Sequence, residues 1–191
     1  MEEEKKLLDL LKQGNPAGLN GLFKAYFRLV CTVSYRMTND QQTAEDIGQE
    51  VFMQLWKKRK DLNITGSVKS YLTRAASNKT LNFIRDQKIK LSGAEEPLAE
   101  DFGGTTDAEF EGTVELKAKI AESIKELPDR CRMVFLLSRD QEMSYREIAE
   151  ALDISIKTVE NQISKALKIL RIKLGPYVAK LLILGVLSSL A

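Results

Sequence analysis

Lys157, Asn161, Ser164, Lys165, Lys168 and Arg171 recur at steps of three and four residues, with Val159, Ile163, Ala166, Leu167 and Leu170 between them. At 100° per residue this is one helix with an apolar side and a cationic, polar side. Its cations can neutralise phosphates, and Asn161, near the helix start, can reach base edges in a DNA major groove. The preceding residues suit that chemistry. Ser144 and Glu147 form a capping box for a short helix through Leu152, Asp153-Ile154-Ser155 turns the chain, and Ser155 caps a long helix from Ile156 to Leu174. Short helix, tight turn and longer helix make a helix-turn-helix. The plainer reading is an ordinary solvated face, and Glu160 beside it would repel phosphate.

Two earlier helical stretches also carry segregated faces. From Thr43 to about Asp61, Ala44, Ile47, Gly48, Val51 and Leu55 form a core stripe, while Asp46, Gln49, Glu50, Met53 and Lys57 share the other side, flanked by Phe52 and Trp56. An acidic stripe edged by aromatics is what a protein docking surface needs. The alternative is that Phe52 and Trp56 complete a wide core face over solvated carboxylates. From Val68 to about Lys90, Val68, Leu72, Ala75, Ala76 and Phe83 point inward, opposite Tyr71, Arg74, Asn78, Asn82 and Arg85. Aromatic, amide and guanidinium groups on one face can stack and hydrogen-bond unpaired bases. Tyr71 reads equally well as a half-buried core residue.

The elements that must position these faces are all helical, since no stretch alternates apolar and polar residues as a strand does. Helices are expected at Glu2 to Gln13, from Pro16 with Asn15 as cap and Leu19, Leu22, Phe23, Tyr26, Phe27, Val30 and Val33 as core stripe, at Glu115 to Glu126, and at Asp129 to Arg139. Charge divides the chain further. Of 191 residues, 1–91 carry 16 basic and 10 acidic side chains, 92–113 carry none and seven, and 114–191 carry 13 and 10. The middle stretch, with four of the eleven glycines and no helical period, reads as a flexible acidic linker. The expected architecture is all-α: two small helical domains, 1–91 and 114–191, joined by the linker 92–113, with the helix-turn-helix in the second.

Composition removes whole classes of chemistry. The sequence has no histidine, which excludes imidazole-based triads and histidine metal sites. Its two cysteines, Cys31 and Cys131, are too few for a thiolate zinc cage and too far apart for a CxxC motif, so they read as buried apolar groups. No metal and no cofactor is expected. Glu2, Glu3 and Glu4 are the reverse of a cationic signal-peptide start, which points to the cytoplasm.

In order, these pieces resemble a bacterial RNA polymerase sigma factor of the extracytoplasmic-function (ECF) group, over nearly the whole chain. Asp46-Ile47-Gly48-Gln49-Glu50-Val51-Phe52 with Trp56 looks like the family's polymerase-clamp motif. Val68-Lys69-Ser70-Tyr71-Leu72 through Asn78 and Arg85 looks like its −10 segment, and Leu127-Pro128 through Leu174 like its −35 module. The run Thr158-Val159-Glu160-Asn161 is similar to forms paired with outer-membrane uptake systems.

The resemblance implies a non-catalytic specificity subunit that docks on core RNA polymerase and brings it to promoter DNA. By position, Asp46, Gln49, Glu50, Phe52, Met53 and Trp56 would grip the clamp of the largest polymerase subunit. Tyr71, Arg74, Asn78, Lys79, Asn82 and Arg85 would hold the −10 strand. Ser155, Lys157, Thr158, Asn161, Ser164, Lys165 and Lys168 would meet the −35 duplex, and the acidic linker would thread the channel that later carries RNA. A membrane-anchored anti-sigma factor is an implied partner. This chain departs from the family pattern at Tyr71, usually tryptophan, at Asn82, often aspartate, at Glu160 and Gln162, where many relatives carry lysine and arginine, and in the diluted basic cluster Lys88 and Lys90.

After Gly175-Pro176, ten of the fourteen residues from Val178 to Ala191 are Val, Ala, Leu or Ile. That run falls short of the ~20 residues that span a bilayer, so no stable membrane insertion is expected. It reads as a helix packed on its own domain or against the anti-sigma factor. Two other functions remain open on the residues: a stand-alone helix-turn-helix regulator that binds DNA without polymerase, and a helical membrane-surface protein using the apolar tail.

Overall fold

The computed structural model describes residues 2–64, 66–91 and 111–188, with side chains from 116 to 177 in the last stretch. Eight helices are present among them and no strand: α1 (Glu2–Lys12), α2 (Pro16–Thr38), α3 (Gln41–Lys57), α4 (Val68–Leu91), α5 (Glu111–Lys125), α6 (Asp129–Arg139), α7 (Tyr145–Leu152) and α8 (Ile156–Ser188). Most of the acidic linker, 92–110, lies outside the described residues, and its last three positions belong to α5.

Local chemistry sets the helix boundaries. Gly14 takes φ +77°, where glycine meets no Cβ penalty, and Asn15 Oδ1 accepts from the Ala17 N–H at 3.0 Å to open α2. Asn39, left-handed at φ 56°, closes that helix by donating its N–H to the Tyr35 carbonyl. Asp40 then caps α3 by accepting from the Thr43 N–H at 2.6 Å, so α3 starts two residues before the expected Thr43. Hydrogen bonding from Thr43 holds the Asp40 carboxyl below its ordinary range. The capping box on α7 is formed as expected: Ser144 Oγ accepts from the Glu147 N–H at 3.3 Å, and the Ser144 N–H donates to Glu147 Oε2 at 2.8 Å.

Two expectations are corrected. α8 does not stop at Leu174. It runs through Gly175 and Pro176 to Ser188, the proline removing a single backbone donor from a helix of 33 residues. Leu167 leaves the core side of α8 and is 43 % exposed, because Ala166 and Leu170 already fill the contact with α6.

The N-terminal bundle packs α1, α2, α3 and α4 around Leu11, Leu22, Val30, Val51, Leu55 and Leu72. Glycine allows α2 and α3 to approach closely: a Cβ on Gly48 would lie 2.8 Å from Cys31 Sγ and 2.9 Å from the Phe27 ring. Between α2 and α4 the apolar packing also encloses a polar contact. Buried Thr80 donates to the Ala76 carbonyl at 2.8 Å and its hydroxyl oxygen lies 2.9 Å from Ser34 Oγ, a pairing of hydroxyls that apolar periodicity does not reveal.

The C-terminal helices pack on one another through Leu127, Cys131, Phe135, Ala166 and Leu170, and on the N-terminal bundle through Met133, Val134, Leu137 and Ile148. One continuous apolar cluster therefore joins both halves. Arg36 pairs with Asp140 at 3.0 Å, Lys88 with Asp129 at 2.8 Å and Arg74 with Asp153 at 2.5 Å, while Arg132 donates to the Met37 carbonyl at 3.3 Å. The closed arrangement holds α4 against α7.

Candidate functional site

On α3, Asp46, Gln49, Glu50 and Met53 face solvent, as their spacing required. Phe52 does not. It is 3 % exposed and packs with Phe23 and Phe27, the Phe23 ring lying 5.0 Å edge-on to it and 4.3 Å in a stack with Phe27. The core stripe of α3 is wide enough to take Phe52 in, and Phe23 becomes the aromatic that reaches the surface. Trp56 is half-buried beneath the Arg59 guanidinium, 4.3 Å above its ring, and Arg59 also donates to the Trp56 carbonyl at 2.9 Å.

On α4, Arg74, Asn78, Asn82 and Arg85 are exposed on one side, with Tyr71 half-buried at their edge. Burial holds the Tyr71 hydroxyl above its ordinary range, against the opposing pull of Arg74. Lys79 turns toward α3 and pairs with Glu50 at 2.5 Å across a groove of about 420 Å³ that Asp46 and Asp86 also line. Arg85 pairs with its neighbour Asp86 at 3.0 Å.

On α8, Asn161, Ser164, Lys165 and Lys168 form an exposed row. Ser155 and Thr158 are committed to the helix start: Ser155 Oγ accepts from the Thr158 N–H at 3.0 Å, and the two hydroxyls lie 2.8 Å apart. Lys157 pairs with Glu160 at 3.0 Å, so the acid that would repel phosphate is partly neutralised on its own helix. The α4 and α8 faces are not separate sites here. Arg74 and Asn78 line the same cleft of about 310 Å³ as Thr158, with Arg130 and Gln162 also on it. Sequence reading missed that Asp129 and Asp153 reach across to α4, since a carboxylate 41 or 79 residues away leaves no periodic signal.

Burial raises the thiols of Cys31 and Cys131, and no group of acidic or cysteine side chains among the described residues could hold a metal ion.

Comparison with known proteins fits this layout. The family model for Sigma-70 region 2 matches residues 22–89 and that for Sigma-70, region 4 matches residues 117–170. The chain is 28 % identical over 178 residues to the ECF RNA polymerase sigma factor SigW of Bacillus subtilis, covering 87 % of this chain and 94 % of that one. It is 23 % identical over 184 residues to the ECF RNA polymerase sigma-E factor of Haemophilus influenzae, at 91 % and 96 % coverage. Among solved structures it resembles CnrH in complex with the cytosolic domain of CnrY, with a TM-score of 0.65, 19 % identity and 91 % and 97 % coverage. It also resembles the sigma factor RpoE in complex with the anti-sigma factor NepR from Bartonella quintana, with a TM-score of 0.63, 15 % identity and 82 % and 96 % coverage. Those two likenesses concern the fold.

Two sigma-70 regions, in this order on a chain whose described elements are all helices, define a transcription initiation factor. The chain belongs to the ECF group of bacterial RNA polymerase sigma factors, and it is an alternative sigma factor that directs transcription.

Proposed function

We propose that each exposed face serves one step of initiation. The α3 face docks on the polymerase clamp through Asp46, Gln49, Glu50 and Met53, with Trp56 at its edge and Phe52 supporting it from beneath. The α4 face takes the unpaired −10 strand, with Tyr71, Asn78 and Asn82 for bases and Arg74, Lys79 and Arg85 for phosphates. On α8, Asn161 meets −35 base edges, Ser164, Lys165 and Lys168 meet the adjoining duplex, and Ser155, Lys157 and Thr158 sit at the helix start near the phosphates. The chain contributes specificity, and the chemistry belongs to polymerase.

The observation that carries this reading is the acidic face of α3 left open to solvent beside a −10 helix in the same half. A stand-alone regulator, which has no use for that face, is not favoured. The neighbours solved with a partner, one with CnrY and one with the anti-sigma factor NepR, support an anti-sigma partner for this chain as well. Action in the cytoplasm follows from polymerase as partner, and no helix of the described residues is long and apolar enough to cross a membrane. Co-purification with core polymerase tests the docking face. The wild type is expected to be retained and Asp46→Lys/Glu50→Lys to be lost; retention of the variant would overturn the assignment.

A further inference from the structure

Residues 161–191 carry five cations, Lys165, Lys168, Arg171, Lys173 and Lys180, and no carboxylate side chain. The match to Sigma-70, region 4 ends at residue 170, so the 18 residues 171–188 of α8 lie beyond the part that the −35 reading uses. Contact with the rest of the protein thins along them. Ala166 and Leu170 are buried against α6, whereas Leu167 is 43 % exposed and Ile172 69 %. Lys173 pairs with Glu126, and the Lys119 ammonium lies 5.4 Å from the Tyr177 ring centroid, so α5 covers one side of α8 here. At 100° per residue Gly175 falls on the opposite side, and apart from its own helix nothing among the described residues lies within 4 Å of a Cβ built on it. On that open side exposed Arg171 and Ile172 set a cation beside a large apolar group, as Leu167 and Lys168 do one turn earlier. Neither Lys168 nor Arg171 has a carboxylate partner among the described residues.

The helix then continues through an apolar run. Eight of the eleven residues 178–188 are Val, Ala, Leu or Ile, and Lys180 is the single charge. At 1.5 Å per residue the run is about 16 Å long, half the ~30 Å hydrocarbon thickness of a bilayer, and no helix of the described residues is long and apolar enough to cross a membrane. An apolar run too short to span, approached through unpaired cations, suits the plane of an anionic bilayer surface, where apolar side chains enter the acyl boundary and cations meet lipid phosphates. Nucleic acid would satisfy the cations and leave the apolar run in water. A second copy fits poorly, because two such helices would bring cations together with no carboxylate of their own to pair them.

We propose that α8 from Lys168 to Ser188 docks this chain on an anionic membrane surface, with Arg171 and Lys180 on lipid phosphates and residues 178–188 in the acyl boundary. Such docking goes beyond the sigma reading and does not rest on it. It is reversible, of the order of a single myristoyl anchor, so half of the chain is bound near ~0.1 mM accessible lipid.

The test is co-sedimentation of the full chain with vesicles of phosphatidylglycerol and phosphatidylcholine in equal parts, against vesicles of phosphatidylcholine alone, at low and at high salt. The wild type is expected on the anionic vesicles, less so at high salt, and not on the neutral ones. Each cation near an anionic surface contributes about fivefold, so Arg171→Gln/Lys180→Gln is expected to weaken binding about 25-fold. Lys5→Gln/Lys6→Gln changes net charge equally at exposed positions of α1 and is expected to leave binding nearly unchanged. Leu181→Ser/Leu184→Ser is expected to weaken it roughly 100-fold with an unchanged denaturation midpoint. Equal binding by Arg171→Gln/Lys180→Gln and the α1 control, or no binding of the wild type up to about 1 mM anionic lipid, would overturn the docking. So would a lower denaturation midpoint for Leu181→Ser/Leu184→Ser with unchanged vesicle binding, which places the run inside its own domain. A dimer in sedimentation velocity that the two serines break, from a chain that stays off vesicles, would assign the run to a second copy instead.

Discussion

Glu50 on α3 and Lys79 on α4 form an ion pair of 2.5 Å, so the face we propose for polymerase and the face we propose for the −10 strand share one charge pair. Lys79 keeps 21 % of its side-chain exposure and Glu50 keeps 62 %, and so open a pair contributes at most about 1 kcal/mol to folding. Its consequence lies in binding. Glu50→Gln is expected to move the denaturant midpoint by under ~1 kcal/mol equivalent while weakening retention of core polymerase, both read on the same preparation. A large loss of stability would place the pair among structural contacts instead.

Phe52 and Met53 are neighbours in sequence with opposite environments, 3 % and 55 % exposed. Phe52→Ala should cost about 3–5 kcal/mol through lost burial and a cavity among Phe23 and Phe27. Met53→Ala should change stability by under ~0.5 kcal/mol and reduce polymerase affinity. Urea denaturation of both variants separates the two roles.

Gly48 allows α2 and α3 to touch. Gly48→Ala forces a Cβ against Cys31 Sγ and the Phe27 ring and is expected to cost ~1–3 kcal/mol. Cys31→Ala in that background removes one of the two obstacles, so the pair should be less destabilised than the sum of the single changes in a double-mutant cycle.

Glu147 gives the fold a pH dependence with a defined sign. Hydrogen bonding from Ser144 holds its carboxyl below the ordinary range, so the folded state favours the ionised form. That contribution is fully present above the unfolded value of about 4.3 and is lost as pH falls through the lower folded value. The stability difference between wild type and Glu147→Gln, followed by denaturation from pH 7 to pH 3, should shrink on acidification. A difference that grows in acid would contradict the cap.

The −35 role we propose for the exposed row on α8 assigns sequence readout and phosphate contact to different residues. Lys165→Gln and Lys168→Gln should weaken holoenzyme binding to all promoters alike and flatten the salt slope by about 0.9 each. Asn161→Ala should relax preference at one −35 base by ~1–3 kcal/mol and leave the slope unchanged. Competition titrations over a set of single-base promoter variants distinguish these patterns.

Much of this was legible in the sequence because local chemistry decides it. Ser144 and Glu147 announce α7, Asn15 and Pro16 announce α2, and the three- and four-residue spacing after Ser155 gives the polar face of α8. What escaped depends on contacts distant in the chain. Phe52 is apolar and borders a polar face, so its spacing suits core and surface equally until Phe23 and Phe27 are seen to cover it. Thr80 and Ser34 carry no hydrophobic signal although their hydroxyls meet inside the bundle. Helical period predicted a stop at Leu174 because glycine and proline usually end helices, whereas one missing donor is tolerated within α8. The closure of the two halves through Arg74 and Asp153 has no local signature at all.

Run-off transcription by core polymerase supplied with this chain on a genomic promoter library is the most direct test of sigma function. The expected result is a set of chain-dependent transcripts whose start sites share a −10 and a −35 word, absent with polymerase alone and lost with Asp46→Lys/Glu50→Lys. No transcript above the polymerase-only background, from protein that folds and binds duplex DNA by itself, would contradict it.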